Sequence, residues 1–185
     1  MSWQVRIQAD DFFNAYLILK ESDKALVSKL EKSPGKTISR AKVFGAFPTG
    51  GVGIVCLSFA LELYIKDVYY LLKMGKKWPR GRGGHNILRL YEGLPEEIRK
   101  KIFAHDLISQ NPFYTRGNIW SVERFNKDFT PYDGFIDQIE AISNSFEEWR
   151  YAYEYRALRY ETGFAEALIM AVKSAADGIR GQLAA

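Results

Sequence analysis

Six basic side chains lie between Lys73 and Arg89 of this sequence, and no acidic residue interrupts them. The same segment, residues 73–89, also contains a tryptophan and several glycines. Cations attract phosphate groups, an indole ring stacks on a base, and glycines let backbone N–H groups approach an anion. This cation-rich segment therefore predicts a contact with a phosphate or a nucleic acid. The candidate residues are Lys73, Lys76, Lys77, Trp78, Arg80, Arg82 and His85.

The cation-rich segment has a second interpretation, as a solvated connection between two helices. Loops between helices are ordinarily polar, and lysines near a helix C-terminus interact favourably with the helix dipole without any ligand. The glycines at "GRGG" match neither a Walker loop nor a dinucleotide-binding motif. The sequence leaves both interpretations open.

Two pairs of opposite charges are each spaced four residues apart within apolar segments. Glu62 and Lys66 share one face of a helix and can pair, as can Arg150 and Glu154. A buried charge without a partner is strongly unfavourable, so a partner is expected for each. If the two helices pack together, the four charges and the neighbouring Tyr153 form one network. That network either fixes the helix register or presents the guanidinium of Arg150 to a phosphate.

The chain contains two histidines and one cysteine. His85 follows two glycines and precedes an apolar repeat, a position typical of a residue that caps a helix start. His105 lies near the end of a predicted helix, where the dipole favours a cation. Cys56, between two apolar residues, is expected to be a small core residue rather than a nucleophile. Such a sparse set of ligand types predicts no metal site, and nothing indicates a cofactor.

The composition is that of one globular domain. The chain has 185 residues, 47% of them hydrophobic, with 26 basic and 22 acidic side chains. This small excess of positive charge does not by itself predict nucleic-acid binding. One cysteine allows no intrachain disulfide, and the N-terminus lacks the pattern of a signal peptide, so we expect a cytoplasmic protein. The most apolar stretch, residues 54–72, is interrupted by charges and is not expected to span a membrane.

Helical periodicity dominates the sequence and predicts the elements that position these side chains. We expect an all-α, single-domain helical bundle over residues 1–185, with an up-and-down core and extra helices. The first segment is either one long helix or two short ones, and Gly75 is expected to cap the second. The predicted helices cover residues 10–30, 51–75, 87–94, 96–109, 135–153 and 163–178.

Four short stretches together resemble the HEPN superfamily of helical domains, which is linked to nucleotides and RNA. They are "ALELYIK" at 60–66, "GHNI" at 84–87, "LPEEI" at 94–98 and "WRYAYE" at 149–154. The resemblance is concentrated in residues 60–154. It implies a bundle of four to five helices that often forms a homodimer, with RNA or a nucleotide as a partner.

The resemblance also implies a chemistry, because many HEPN proteins are metal-independent endoribonucleases; others are degenerate relatives. They use an arginine followed, after four to six residues, by a histidine, and the two act across a dimer. The histidine removes the proton of the ribose 2′-hydroxyl, and the arginine stabilises charge on the phosphate. Two pairs have this spacing: Arg99 with His105, and Arg80 with His85. On one continuous helix, Arg99 and His105 lie about 240° apart around the axis, so a dimer would have to bring them together.

A different class of function also fits the sequence. Tyrosine and tryptophan are common at protein interfaces, and the aromatic stretch "NPFYTRGNIW" at residues 111–120 is the candidate contact surface. In this interpretation the protein is a non-catalytic protein–protein interaction module without nucleic-acid activity. A toxin–antitoxin role follows only by analogy with the family.

Overall fold

A computed structural model of the protein describes residues 2–31, 50–73, 84–115, 129–143 and 161–184. These residues confirm the all-α prediction, since they form helices and contain no strand. The helices are α1 (Ser2–Glu31), α2 (Gly50–Leu71), α3 (Ile87–Glu92), α4 (Glu96–Phe103), α5 (Asp106–Ser109), α6 (Pro112–Thr115), α7 (Pro131–Ile142) and α8 (Thr162–Ala184).

Helix α2 lies at the centre of the bundle and packs lengthwise against α1. The two helices are antiparallel: the rings of Phe12 and Phe59 stack with centroids 5.1 Å apart, and Asp10 meets Tyr64 further along. The first helix is one unbroken element of thirty residues rather than two short ones. This pair provides the up-and-down arrangement expected of the core.

Helix α8 packs on another side of α2 and runs parallel to it. Its buried face is rich in alanine and closely spaced apolar residues, which allows the two helix axes to approach closely. The side chains of Lys173 and Arg180 reach Tyr64 and Asp67 of α2 in the same order along both helices. At the other end of α8, Lys20 of α1 donates to Glu166 at 2.6 Å.

The short helices α3 to α7 close the remaining side of the core. The rings of Tyr91 and Phe135 meet edge to face at 5.6 Å between centroids, and Phe135 continues to Phe164 of α8 at 5.8 Å. Helix α7 begins with a capping box in which Thr130 and Asp133 bond reciprocally. Phe135, Ile139 and Ile142, which recur at helical spacing in the sequence, are buried. Residues 144–153 of the predicted helix 135–153 lie outside the described residues.

Several predicted helix boundaries were wrong: α1 begins at Ser2 rather than at residue 10, α8 ends at Ala184 rather than at residue 178, and two further differences lie near the candidate residues. The segment 96–109 is not one helix, because the backbone at His105 is extended (φ −62°, ψ 134°) and separates α4 from α5. Helix α2 ends at Leu71, before the predicted cap at Gly75, and Lys73 adopts the left-handed conformation with φ 56°. The amide of Lys73 donates to the carbonyl of Tyr70, so this turn closes the helix without a glycine.

The prediction that residues 54–72 do not span a membrane agrees with the described helices. None of those helices is both long enough and apolar enough to cross a membrane.

Candidate functional site

The predicted pair on α2 is present and buried. Glu62 is only 3% exposed, and the Lys66 ammonium, one turn later, donates to its Oε1 at 2.5 Å. The bond lies along one helix face, as the four-residue spacing requires. The sequence interpretation of Glu62 and Lys66 as a pair is therefore confirmed.

His85 is the third member of this cluster, and it arrives from outside α2. Its Nδ1 lies 3.0 Å from Oε2 of Glu62, so each carboxylate oxygen has a different partner. The side chain of His85 is 43% exposed, whereas the glutamate is buried. We call Glu62, Lys66 and His85 the His85 cluster. It joins the far end of the cation-rich segment to the central helix.

The start of α3 fixes the backbone that carries His85. Asn86 caps this helix by accepting from the amide of Arg89 at 2.9 Å. Ser143, at the end of α7, accepts from Ile87 through its backbone carbonyl at 3.2 Å and from Leu88 through its hydroxyl at 3.0 Å. The two bonds to Ser143 hold the start of α3 against the end of α7, two and three residues after His85.

Helix α3 is also bonded to α2 directly. The hydroxyl of Tyr69 donates to the carbonyl of Leu90 at 3.0 Å, and Gly93 follows where the chain leaves α3. A Cβ added at Gly93 would lie well inside contact distance of the Tyr69 hydroxyl oxygen and 3.4 Å from the carbonyl of Arg89. Glycine is therefore required here by close approach rather than by backbone conformation.

When Glu62 is ionised, the geometry of the His85 cluster assigns the roles of the ring nitrogens. An ionised carboxylate only accepts hydrogen bonds, so Nδ1 of His85 must be the donor to Glu62. In the neutral ring the lone pair then lies on Nε2. A carboxylate that holds an imidazole in one tautomer is the arrangement used to orient histidines in general-base catalysis. The cluster can therefore take up a proton at a defined atom.

Arg99 and His105, the other predicted pair, have separate partners. Arg99 donates from Nε to the carbonyl of Leu94 at 3.2 Å and from Nη1 to the hydroxyl of Tyr132 at 3.5 Å. His105 caps α5, with Nδ1 accepting from the amide of Leu107 at 3.3 Å. Its ring therefore lies at the positive end of α5, while its backbone directly follows the C-terminal end of α4, the helix end that the sequence argument considered. Among the described residues, no hydrogen bond joins Arg99 to His105.

Several predicted residues lie outside the described parts of the chain. Lys73 is described and exposed at the end of α2, and Arg89 is exposed on α3. The other cationic candidates and the second polar pair remain predictions. The residues outside the described ranges are Lys76, Lys77, Trp78, Arg80, Arg82, Arg150, Tyr153 and Glu154.

A larger polar cluster, which the sequence analysis missed, bridges α1, α2 and α8. Its centre is Asp67, which is 0% exposed, and Oδ2 of Asp67 accepts from Arg180 and lies 3.8 Å from Arg6. Oδ1 of Asp67 has no hydrogen-bond partner among the described residues. We call this set the Asp67 cluster; its members are Arg6, Asp10, Tyr64, Asp67, Lys173, Asp177 and Arg180.

The two aspartates deepest in the Asp67 cluster have pKa values shifted in opposite directions. Burial acts to raise the pKa of Asp10, but hydrogen bonds from Tyr64 and Lys173 and the charge of Arg6 outweigh it, so the pKa is lowered. Burial also raises the pKa of Asp67, and there the guanidinium groups offset it only in part. Spacings of three and four residues within each helix are the only sequence signal of this cluster.

The described residues support neither a thiolate nucleophile at Cys56 nor a metal site. Burial raises the pKa of the Cys56 thiol, which makes a thiolate nucleophile less accessible and agrees with the expected core role. Within the described ranges, no group of three or more His, Cys, Asp or Glu side chains is placed to hold a metal ion.

Comparison with known proteins gives no relative on which to base a function. No family model, no curated protein and no solved structure matches the chain. The candidate site therefore depends on its geometry and on the sequence patterns alone.

Proposed function

We propose that the protein is a HEPN-like helical protein that binds RNA or a nucleotide through the His85 cluster and the cation-rich segment. One observation carries the proposal: the hydrogen bond between Nδ1 of His85 and the buried Glu62. This bond attaches a half-exposed, oriented imidazole to the central helix at the end of a segment with six basic residues and no acid. Phosphate binding by the basic residues and proton transfer by the imidazole would then occur in one place.

The proposal extends to cleavage of RNA without a metal. Nε2 of His85 removes the proton of a ribose 2′-hydroxyl, whose oxygen attacks the adjacent phosphorus. The bond from phosphorus to the 5′-oxygen breaks and a 2′,3′-cyclic phosphate forms; the leaving 5′-oxygen takes up a proton from water, and the imidazolium of His85 returns its proton to water. Arg80, five positions before His85, is the candidate for stabilising charge on the phosphate. Arg99 with His105 is the alternative pair, which a homodimer would have to assemble.

Binding is tested with a labelled single-stranded RNA at increasing salt. If phosphate contacts dominate, the affinity falls steeply as salt rises. Changing Lys76, Lys77, Arg80 and Arg82 to glutamate together should abolish binding. The matched control changes the exposed Lys24, Lys29, Lys100 and Lys101 to glutamate, which alters net charge equally elsewhere on the molecule. Equal loss of binding in both variants would mean that only net charge matters and would reject the segment as the site.

Cleavage is tested separately, in the presence of a chelator. The proposal expects RNA cleavage with a cyclic phosphate product, lost in His85→Ala and retained in His105→Ala. The opposite result would support Arg99 and His105 as the catalytic pair. Retention of cleavage in both variants would remove histidine chemistry from the proposal.

An interaction module is the second candidate, and one observation favours it. Phe113, in the aromatic stretch 111–120, is 75% exposed, and Leu107 is exposed one short helix earlier. An exposed phenylalanine of this kind is typical of a protein contact. If purified protein forms a stable complex with a protein partner, carries no nucleic acid, and loses the complex on Phe113→Ser, this candidate replaces the first.

A further inference from the structure

The His85 cluster contains an electrostatic conflict if it binds phosphate. Glu62 is needed to orient the imidazole, yet its negative charge lies one hydrogen bond from the ring that faces the substrate. Because the carboxylate is buried, bulk water screens this charge poorly. An anion approaching His85 would therefore be repelled by the group that positions the base.

We propose that Lys66 is a positioning residue that cancels the charge of Glu62, so that Glu62 can orient His85 without repelling a phosphate. This inference rests on the proposed function, because it assumes that the substrate is a phosphate anion. It assigns different tasks to the two oxygens of one carboxylate. Oε1 accepts from the Lys66 ammonium at 2.5 Å, and Oε2 accepts from His85 at 3.0 Å.

The placement of Lys66 supports charge cancellation. Lys66 comes from the same helix as Glu62, one turn later, so the pair forms whether or not a ligand is bound. The side chain of Lys66 is itself largely buried, whereas His85 is half-exposed. A lysine whose main task is to contact a phosphate would instead be expected to reach solvent with its ammonium.

The inference makes four variants behave in an order that a purely structural role does not predict. Glu62→Gln removes the negative charge and should tighten phosphate binding roughly threefold. Lys66→Met uncovers the negative charge and should weaken binding roughly tenfold. The double variant Glu62→Gln/Lys66→Met removes both charges and should return to within about twofold of the wild type. Lys66→Arg keeps the charge and should bind like the wild type.

Two binding measurements on the full chain test this order. One uses a labelled single-stranded RNA, and the other titrates inorganic phosphate while the ¹⁵N resonances of the His85 ring are recorded. The same resonances report the tautomer at a pH where the ring is neutral. The Nδ1–H tautomer should persist in Lys66→Met and become mixed in Glu62→Gln. The glutamine variant should therefore bind RNA more tightly and yet cleave it more slowly, which separates binding from catalysis.

The outcomes distinguish this inference from the proposed function. A wild-type protein that binds neither probe removes the phosphate site itself, and the role of Lys66 with it. A wild-type protein that binds, with a double variant as weak as Lys66→Met, shows that Lys66 contacts the phosphate directly and overturns the inference. If Lys66→Met does not fold, Glu62→Gln decides alone, because weaker rather than tighter binding in that variant contradicts charge cancellation.

Discussion

The two charged clusters of this protein lie on different faces of the same helix and differ in how many helices the described members connect. A step of two residues along α2 turns about 200° around the axis, so Glu62 and Tyr64 point to opposite sides. In the Asp67 cluster, three cations from α1 and α8 bond to three aspartates, and Tyr64 bonds to one of them. In the His85 cluster, the carboxylate of Glu62 is hydrogen-bonded to one ammonium and one imidazole.

The difference indicates what each cluster does. Long side chains in the Asp67 cluster span three helices, and Arg6 and Lys173 also lie over the ring of Tyr64 at 5.2 and 5.1 Å. Such an interlocked set specifies how the helices dock. The described part of the His85 cluster has fewer groups, and one of them is half-exposed. We therefore expect changes in the first cluster to reduce stability and changes in the second to alter ligand binding.

Gly93→Ala should have the largest effect and should act on the His85 side of α2. The new methyl group would overlap the Tyr69 hydroxyl, forcing α3 away from α2, and we expect a loss of about 3 kcal/mol in the free energy of unfolding. Urea denaturation measures the loss. The control is Tyr69→Phe, which removes the overlapping oxygen. The stability loss of the double variant should therefore be smaller than the sum of the two single losses, by about 1 kcal/mol or more. Strict additivity would show that the overlap is relieved in another way.

Arg180→Met tests the other face. It leaves the buried Asp67 with only the more distant Arg6, and we expect a loss of about 2–3 kcal/mol in the free energy of unfolding. Adding Asp67→Asn should recover most of this loss, since the unpaired charge is then removed. RNA affinity should change less than about twofold, because the cluster lies away from the proposed site. A large loss of RNA affinity in folded Arg180→Met would break the division between the two faces.

Sequence reasoning predicted the parts of this molecule that depend on local spacing. The pairing of Glu62 with Lys66 follows from a four-residue step on an apolar helix, and the helices themselves follow from their periodicity. The partner of Glu62 does not follow, because His85 comes from beyond a glycine-rich segment where spacing fixes no geometry. His85 was predicted as a phosphate contact or as the cap of a helix start; Asn86 caps α3 instead, and the bond of His85 to Glu62 was not predicted.

The Asp67 cluster and the helix break at His105 could not be predicted for related reasons. Arg6 with Asp10, and Asp177 with Arg180, resemble ordinary surface pairs until three helices pack around Asp67. The segment 96–109 contains neither glycine nor proline and keeps a helical period throughout. Its interruption depends on an imidazole that caps α5, which is not a strong sequence signal.

The pH dependence of stability should separate the partly exposed Asp10 from the buried Asp67. The pKa of Asp10 is lowered in the folded state, so its contribution is present above the ordinary value and is lost as pH falls below about 4. Asp10→Asn should therefore cost about 1 kcal/mol near pH 7 and less near pH 3. The pKa of Asp67 is raised, which gives the opposite sign: relative to the wild type, Asp67→Asn should gain stability as pH rises from 4 to 7.

Urea denaturation of both variants and the wild type at several pH values checks this prediction. The comparison needs only the slope of each stability difference against pH, so a constant loss from altered packing does not affect it. Parallel slopes for the two variants would show that the surrounding cations hold both carboxylates alike, contrary to the opposite pKa shifts.

The smallest expected effect concerns His105, whose ring caps a single turn of helix. His105→Ala removes the acceptor for the amide of Leu107 and should cost about 0.5–1 kcal/mol in the free energy of unfolding. His105→Asn is the matched variant, because asparagine also caps helix starts and should retain most of the stability. If His105 acts only as a helix cap, both variants should bind and cleave RNA like the wild type. If instead the asparagine variant is stable and yet loses cleavage, the ring of His105 itself takes part in the chemistry, and the catalytic face must be sought at α4 and α5 in a dimer rather than at α2.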